Sequence, residues 1–325
     1  MPTTGVPIDP AGPPPTIELR GVSKSYGQFQ GLTYVNLSFH PGVTAVVGPN
    51  GAGKSTMIKL IMGLIRPSIG DVSMLDRRPG RDSYLYEKVG YCPEHDAFFT
   101  HMTGSEFLIY ILRLHGYTKE EAERRSDILL DKLELLDVKD RTIGTYSRGM
   151  KQKMKFARAI AFDPEIIILD EPLQGTDPYS RHIIVQNIKD WGKKGKTVLF
   201  SSHILSEVEM VTKTIVLING GKVLAQGSVS DIRALLDRYP HRIWVMPRDI
   251  DERRRLGKVF LEEDMVETVT IQADPPAVVV HTRQPTEFYS KLPKILVREK
   301  VKVDHISSPD DSLEVLYSLL MGGQG

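Results

Sequence analysis

The chain has 325 residues, long enough for a large core and more than one domain. Its 42 lysines and arginines nearly balance 41 aspartates and glutamates, so no basic excess indicates a nucleic-acid partner. The single cysteine, Cys92, excludes an intrachain disulfide. The most apolar helical stretch, residues 107–114, is too short to cross a bilayer, so we expect any membrane link to run through a partner.

In chain order, a predicted disordered arm comes first, followed by strands that lead into a glycine-rich motif. Residues 1–15 contain six prolines and no lysine or arginine, a composition typical of disorder. Apolar and polar residues alternate at 17–19 and 34–39, which predicts two half-buried antiparallel strands. The apolar run 43–47 predicts a third strand, and residues 55–65 predict a helix with one apolar face.

Between that strand and helix lies the sequence Gly-Pro-Asn-Gly-Ala-Gly-Lys-Ser-Thr, residues 48–56. Its glycines permit strained backbone angles, so that successive N–H groups can point at one anion at the positive end of the helix. Lys54 would add a charge at the β- and γ-phosphates, and the Ser55 hydroxyl would bind the Mg²⁺ of a nucleoside triphosphate. This context predicts a phosphate-binding loop rather than an ordinary glycine-rich turn.

Short strands predicted at 72–75 and 89–92 precede a mainly helical insertion at about residues 95–163. Two capping boxes predict helix starts within it: Thr103 with Glu106, and Thr118 with Glu121. A third helix is predicted to begin at Ser147 and to end before Pro164.

An alternating α/β pattern then resumes. The unbroken apolar run 166–169 predicts a parallel strand covered on both faces. A helix at 178–191, a strand at 197–201, a short helix and strands around Asn219 complete a predicted cassette that ends near Gly227.

The remaining residues predict a linker at 228–240, mostly a short helix, and a small α+β domain at 241–325. The predicted elements of that domain are strands at 243–246, 266–271 and 278–281 and helices at 249–262, 286–292 and 311–320. No motif in this domain indicates a chemistry.

Candidate catalytic residues follow the predicted parallel strands, where ligands of open α/β sheets bind. Asp170 is placed to hold Mg²⁺, and Glu171 to polarise an attacking water. His203 would emerge at the same sheet edge, close to a γ-phosphate or to Glu171. Without the phosphate loop, the two carboxylates would be read as a polar turn after a strand.

These motifs together resemble the nucleotide-binding subunit of ABC transporters, over residues 16–227. The loop at 48–56 is similar to the family's Walker A loop, and the strand with Asp170 and Glu171 to its Walker B segment. Tyr26 matches the aromatic residue that stacks on adenine, residues 146–152 resemble the signature motif, and His203 matches the switch histidine. The resemblance implies an α/β fold, a P-loop ABC cassette with a mixed sheet core, an antiparallel β subdomain and an α-helical subdomain.

The resemblance also implies the site. The residues expected to bind nucleotide are Tyr26, Gly48, Asn50, Gly51, Ala52, Gly53, Lys54, Ser55, Thr56, Glu94, Ser147, Gly149 and Asp177. Glu171 and His203 would be catalytic, with ATP as the nucleotide, and Ser55, Glu94 and Asp170 would ligate Mg²⁺. In the family, two cassettes meet head to tail, so each ATP would lie between Lys54 of one copy and Ser147 of the other.

The implied partners are a second copy of the cassette and a transmembrane permease, with no nucleic acid. The expected location is the cytoplasmic face of the cell membrane, as a peripheral subunit. Phe98, Phe99 and Met102 form an apolar cluster where the family receives its permease, although they could equally belong to the core of the helical insertion.

Two departures from the family pattern bear on function. Glu94 stands where the family usually has glutamine, which adds a negative charge beside the phosphates and favours slower hydrolysis or altered coupling. Arg148 with Tyr146 and Met150 is similar to a signature variant of bacterial exporters. The leading hypothesis is the ATPase subunit of an exporter. The alternatives are an ABC-type switch on a non-membrane partner and a weakly hydrolysing, ATP-gated regulatory module.

Overall fold

The computed structural model describes residues 14–95, 98–234 and 240–308. The chain divides into two compact units, Met1–Gly227 and Ser228–Gly325. In none of the described ranges is there a helix long and apolar enough to cross a membrane.

The first unit contains nine strands and seven α-helices among its described residues. In chain order they are β1 (Ile17–Tyr26), β2 (Phe29–Phe39), β3 (Gly42–Val47), α1 (Lys54–Ile61), β4 (Ile69–Met74), α2 (Ser83–Lys88), β5 (Val89–Cys92), α3 (Gly104–Leu114), α4 (Lys119–Lys132), α5 (Arg148–Ile160), β6 (Ile166–Leu169), α6 (Pro178–Lys193), β7 (Thr197–Ser202), α7 (Leu205–Val211), β8 (Thr214–Asn219) and β9 (Lys222–Ser228). Two 3₁₀ turns, Leu136–Val138 and Ile143–Thr145, lie between α4 and α5.

The central sheet has six strands in the order β5-β6-β7-β3-β8-β9. Its neighbouring strands are parallel from β5 to β8. Strand β9 follows β8 after only Gly220 and Gly221, so these two strands run antiparallel. All four residues of β6 are buried, as expected for a parallel strand covered on both faces.

A separate antiparallel sheet has the order β2-β1-β4. Side chains of this sheet and of α1 pack into one core with β3 and β6; its largest members include Phe39, Leu19, Leu32, Met57 and Ile58. The mixed sheet, the antiparallel sheet and the helical insertion confirm the predicted fold class.

Some predicted boundaries were wrong. Helix α1 ends at Ile61 rather than residue 65, because Gly63 turns the chain with a φ of +67° and leaves Leu64 58% exposed. At the predicted capping box of α3, the Thr103 side chain accepts a hydrogen bond from the Glu106 N–H, and the Glu106 side chain accepts one from the Thr103 N–H. At the start of α4 only the first of these bonds forms: the Thr118 hydroxyl accepts from the Glu121 N–H, whereas the Glu121 carboxylate accepts hydrogen bonds from two arginines of α4.

The second unit begins with α8 (Val229–Ala234) and continues with β10 (His241–Pro247), α9 (Ile250–Leu261), β11 (Thr268–Gln272), β12 (Ala277–Thr282), α10 (Pro285–Glu299) and β13 (Val303–Ser307). Its four strands form an antiparallel sheet in the order β11-β12-β10-β13. Aromatic and aliphatic side chains of α9 and α10 pack on this sheet around Phe260 and Phe288, whose ring centroids lie 5.3 Å apart.

The sequence prediction for this unit missed β13 and ended the α10 helix seven residues early. The helix contains Pro293, which is on the exposed face, and it continues beyond this proline because Leu292 and Ile295 are buried. The remainder of the predicted linker helix after Ala234, and the predicted helix at 311–320, lie outside the described residues.

Candidate active site

The glycine-rich loop connects β3 to α1 and requires glycine at defined positions. Gly51 and Gly53 have φ values of +80° and +109°, which L-residues with a Cβ rarely adopt. At Gly48 the constraint is space, because a Cβ there would lie 2.2 Å from the carbonyl oxygen of Ile218 on β8. The loop is therefore held against the sheet, with its N–H groups at the start of α1.

Lys54, the first residue of α1, is 6% exposed and folds back over the loop. Its Nζ donates hydrogen bonds to the carbonyl oxygens of Gly48 at 2.7 Å and Pro49 at 3.3 Å. The same nitrogen lies 3.4 Å from Oε1 of Glu171. The ammonium group is thus held in the loop beside the candidate general base.

The sheet register brings the remaining candidates to this loop. Strand β7 lies between β6 and β3, and all three are parallel. Leu169 pairs with Phe200, and Val46 pairs with Ser201. The residues that follow these strands therefore meet at one edge of the sheet, as expected for open α/β sheets.

Glu171 is at the centre of this edge. Its side chain is 7% exposed, and Oε2 lies 3.0 Å from Nδ1 of His203. The residue has a φ of +49°, an uncommon backbone conformation for a non-glycine residue and one that clusters at functional sites. Lys54 and His203 thus contact the two oxygens of one buried carboxylate.

Ser201 is a site residue that sequence reasoning missed. Its hydroxyl accepts a hydrogen bond from the backbone N–H of Glu171 at 2.9 Å and donates one to Oδ1 of Asp170 at 2.6 Å. In the sequence, the signal was a hydroxyl residue directly after the apolar run 198–200; that Ser201 is fully buried is known only from the structure. One hydroxyl of strand β7 therefore holds both the carboxylate of Asp170 and the backbone of Glu171.

Asp170 is 3% exposed, and burial raises the pKa of its carboxyl group above the ordinary value. The negative charges of Glu94 and Glu171 also raise the pKa of Asp170. Hydrogen bonding by the side chains of Ser201 and Ser55 lowers this pKa and so opposes the effect of burial. A cation at this point would favour the ionised form of Asp170.

The donors at this point suit Mg²⁺. The Ser55 hydroxyl lies near enough to Asp170 to lower the pKa of its carboxyl group, and Glu94 lies near enough to raise it. These are hard oxygen donors, and Mg²⁺ is bound in such sites by one or two carboxylates together with substrate phosphates. Within the described ranges no three His, Cys, Asp or Glu side chains cluster as a metal cage.

A cavity of about 290 Å³ opens above the loop. Its lining residues are Phe29, Gly31, Pro49, Asn50, Gly51, Ala52, Gly53, Lys54, Ser55, Thr56, Glu94 and Glu171. Most of the predicted nucleotide-binding residues on the loop side are therefore brought together. Tyr26 is outside this lining and lies beside Gly31, across from Thr56, whereas Phe29 faces the cavity.

The remaining predicted residues form a second cluster outside the cavity lining. Ser147 caps α5, and its hydroxyl accepts a hydrogen bond from the N–H of Met150 at 3.2 Å. Gly149 faces Asp177, since a Cβ on it would lie 3.0 Å from Oδ2 of that residue. Asp177 in turn caps α6 through the N–H and hydroxyl of Ser180. The start of α5 is therefore not part of the lining of the cavity above the phosphate loop.

A phosphate-binding loop, two carboxylates and a histidine at one edge of a mixed sheet define a P-loop nucleotide-binding cassette. Residues 32–174 match the ABC transporter family. Nod factor export ATP-binding protein I of Rhizobium johnstonii is 35% identical over 219 residues, which cover 66% of this chain and 70% of that protein. The daunorubicin/doxorubicin resistance ATP-binding protein DrrA of Streptomyces peucetius is 28% identical over 312 residues, 95% of this chain and 93% of its own.

An ABC transporter ATP-binding protein of Synechocystis sp. is 36% identical over 206 residues, and the match spans only 58% of its length. Among solved structures, an ATP-binding subunit of an ABC transporter superimposes with a TM-score of 0.64, 31% identity, and coverage of 68% of this chain and 93% of that chain. A dimeric ATP-binding cassette bound to ADP and Pi superimposes with a TM-score of 0.61 and 26% identity. The match covers 65% of this chain and 98% of that chain. The chain belongs to the ABC transporter family.

Proposed function

We propose that the protein hydrolyses ATP as the nucleotide-binding subunit of an ABC exporter, on the cytoplasmic face of the membrane. The observation that carries the proposal is the contact of Glu171 with both Lys54 and His203 beside the phosphate loop. The names of two relatives, a Nod factor export protein and a drug resistance protein, support export.

In this proposal the loop N–H groups and Lys54 hold the ATP phosphates, whose oxygens replace the carbonyl oxygens that Lys54 now contacts. Glu171 accepts a proton from the attacking water, and His203 orients that carboxylate. Ser55, Asp170 and Glu94 would hold Mg²⁺, which when bound neutralises developing charge on the phosphates.

The second half of the site would come from another copy of the chain. Ser147 and Gly149 lie outside the cavity that Lys54 lines, although the free N–H groups at the start of α5 suit a phosphate. The dimeric cassette among the structural neighbours supports such a pairing. ATP would therefore close a dimer, and hydrolysis would reopen it.

A transmembrane permease is the proposed partner. Phe99 is 49% exposed and Tyr110 is 42% exposed, and their ring centroids lie 5.9 Å apart in an edge-to-face contact. Phe98 and Phe99 both pack on the buried ring of Phe107. The cluster is thus anchored in the helical insertion and also presents aromatic surface to a partner.

The dimer can be tested through Ser147. In a Glu171→Gln background with ATP, we expect a dimer by light scattering, whereas adding Ser147→Asp should leave a monomer. Aspartate caps a helix as well as serine does, so α5 stays intact, but its charge repels the γ-phosphate. Thr118→Asp, at the cap of α4, is the matched control and should not change dimerisation. A dimer that persists in the Ser147→Asp protein would contradict the shared site.

Ser201 provides a test of how Glu171 is positioned. Ser201→Ala would leave the buried N–H of Glu171 unpaired, a loss of about 1–3 kcal/mol that allows the carboxylate to shift. We expect kcat to fall about tenfold or more, with KM for ATP changing less. Thr197→Val, at the opposite end of β7, is the control, and Ser201→Thr should restore turnover because it keeps a hydroxyl. A normal kcat in Ser201→Ala would exclude this positioning role.

A further inference from the structure

The second unit contains a groove that the proposed ATPase chemistry does not use. It lies between α9 and the edge strand β11 and has a volume of about 250 Å³. Its lining residues are Arg254, Gly257, Lys258, Leu261, Val269 and Ile271. The groove has two cationic side chains and an apolar floor, and no carboxylate from the described part of the unit lines it. In these respects it differs from the phosphate-loop cavity, which Glu94 and Glu171 line.

Sequence spacing explains the groove. The four residues from α9 recur at intervals of three and four, so they share one helix face, and the two from β11 share one strand face. Gly257 leaves the centre of the helix face without a side chain. A Cβ there would lie 3.5 Å from Cδ1 of Ile271 and 3.7 Å from Cγ1 of Val269, at ordinary contact distance.

The apolar floor is accessible. Leu261 is 56% exposed and Ile271 is 44% exposed, and both line the groove. Two large aliphatic side chains side by side on a groove mark a surface suited to an apolar ligand.

The cations on the helix face are available to an anion. Arg253 and Arg255, on other faces of α9, donate to the backbone oxygens of Asp249 and Glu299. Arg254 and Lys258 are exposed and form no ion pair or side-chain hydrogen bond with any residue that the structure describes. They stand four residues apart, so their like charges repel unless an anion lies between them.

We propose that this groove is a binding site for a small anionic amphiphile, with an acidic head between Arg254 and Lys258 and a short apolar tail on Leu261 and Ile271. The volume is below the roughly 300–1,000 Å³ of pockets for drug-sized ligands, which favours a short acyl chain.

The test uses the full chain and decanoate, below the concentration at which decanoate forms micelles. Isothermal titration calorimetry should detect binding of decanoate, but not of acetate, which lacks the tail, or decyltrimethylammonium, which reverses the charge. The double variant Arg254→Gln/Lys258→Gln should bind decanoate at least about tenfold more weakly, since each charged contact contributes a factor of this order. Lys302→Gln, an exposed lysine of the same unit, is the matched control and should bind normally.

A second variant tests the apolar floor. Gly257→Leu should fill the groove and abolish decanoate binding, and a thermal melt would show whether the unit stays folded. The proposal is overturned if decanoate does not bind, if decyltrimethylammonium binds equally well, or if the charge variants bind normally. Binding only to phosphatidylglycerol vesicles, or only to acidic peptides, would overturn it in favour of a membrane or a peptide surface. None of these outcomes bears on ATP hydrolysis.

Discussion

Glu171→Gln should lower the rate of ATP hydrolysis by about 10²- to 10⁴-fold while nucleotide binding persists. Glutamine has nearly the same shape and can keep the contacts of Glu171 with Lys54 and His203. It cannot accept a proton from water, so only the chemical step is impaired. ATP affinity should be equal or slightly higher, because a negative charge beside the phosphates is removed.

The measurement is phosphate release at saturating Mg²⁺ and ATP, together with equilibrium binding of ATP. Glu165→Gln is the matched control, since Glu165 stands just before β6, at the opposite end of the strand from Glu171. It is 55% exposed and paired with Lys88, so its loss should leave turnover unchanged. Near-normal turnover in Glu171→Gln would refute its role as the general base.

Lys54→Ala should instead weaken nucleotide binding itself, by about 10- to 100-fold, since charge-assisted hydrogen bonds contribute roughly 1.5–3 kcal/mol. The substitution removes the ammonium group that the loop carbonyls now hold beside Glu171. Turnover should fall as well, because the same charge would stabilise the transferring phosphoryl group.

Equilibrium binding of ATP measures this effect. Lys59→Ala, an exposed lysine on the same helix, is the control and should bind ATP normally. Lys54→Ala also removes the donor that bonds the carbonyl oxygens of Gly48 and Pro49, so the substitution could destabilise the loop. A thermal melt of the variant therefore separates loss of ATP binding from loss of folding. Unchanged ATP affinity in Lys54→Ala would overturn the phosphate-loop assignment.

Much of the cassette could be predicted because its signals are local. The glycine spacing at 48–56 requires a particular loop, and the N-cap at Ser147 defines the start of α5. Ligands of open α/β sheets bind beyond the carboxyl ends of the parallel strands. Because Asp170, Glu171 and His203 each follow a predicted strand, they could be placed at one edge of the sheet without knowledge of the strand order. The fold class followed from the same alternation of strands and helices.

Features that depend on contacts between distant residues could not be predicted. The role of Ser201 requires knowing that β7 lies beside β6 in a register that pairs Leu169 with Phe200. Likewise, the continuation of α10 through Pro293 depends on burial of the residues around it.

The phosphate loop, the two carboxylates and the histidine can be predicted from the chain alone, because short-range spacing and residue chemistry indicate them. The folded arrangement was needed to see that Lys54 and His203 contact one carboxylate, that Phe29 rather than Tyr26 lines the cavity, and that α9 and β11 enclose a basic groove. Such contacts depend on strand order, register and packing, which join residues far apart in the chain and leave no local pattern.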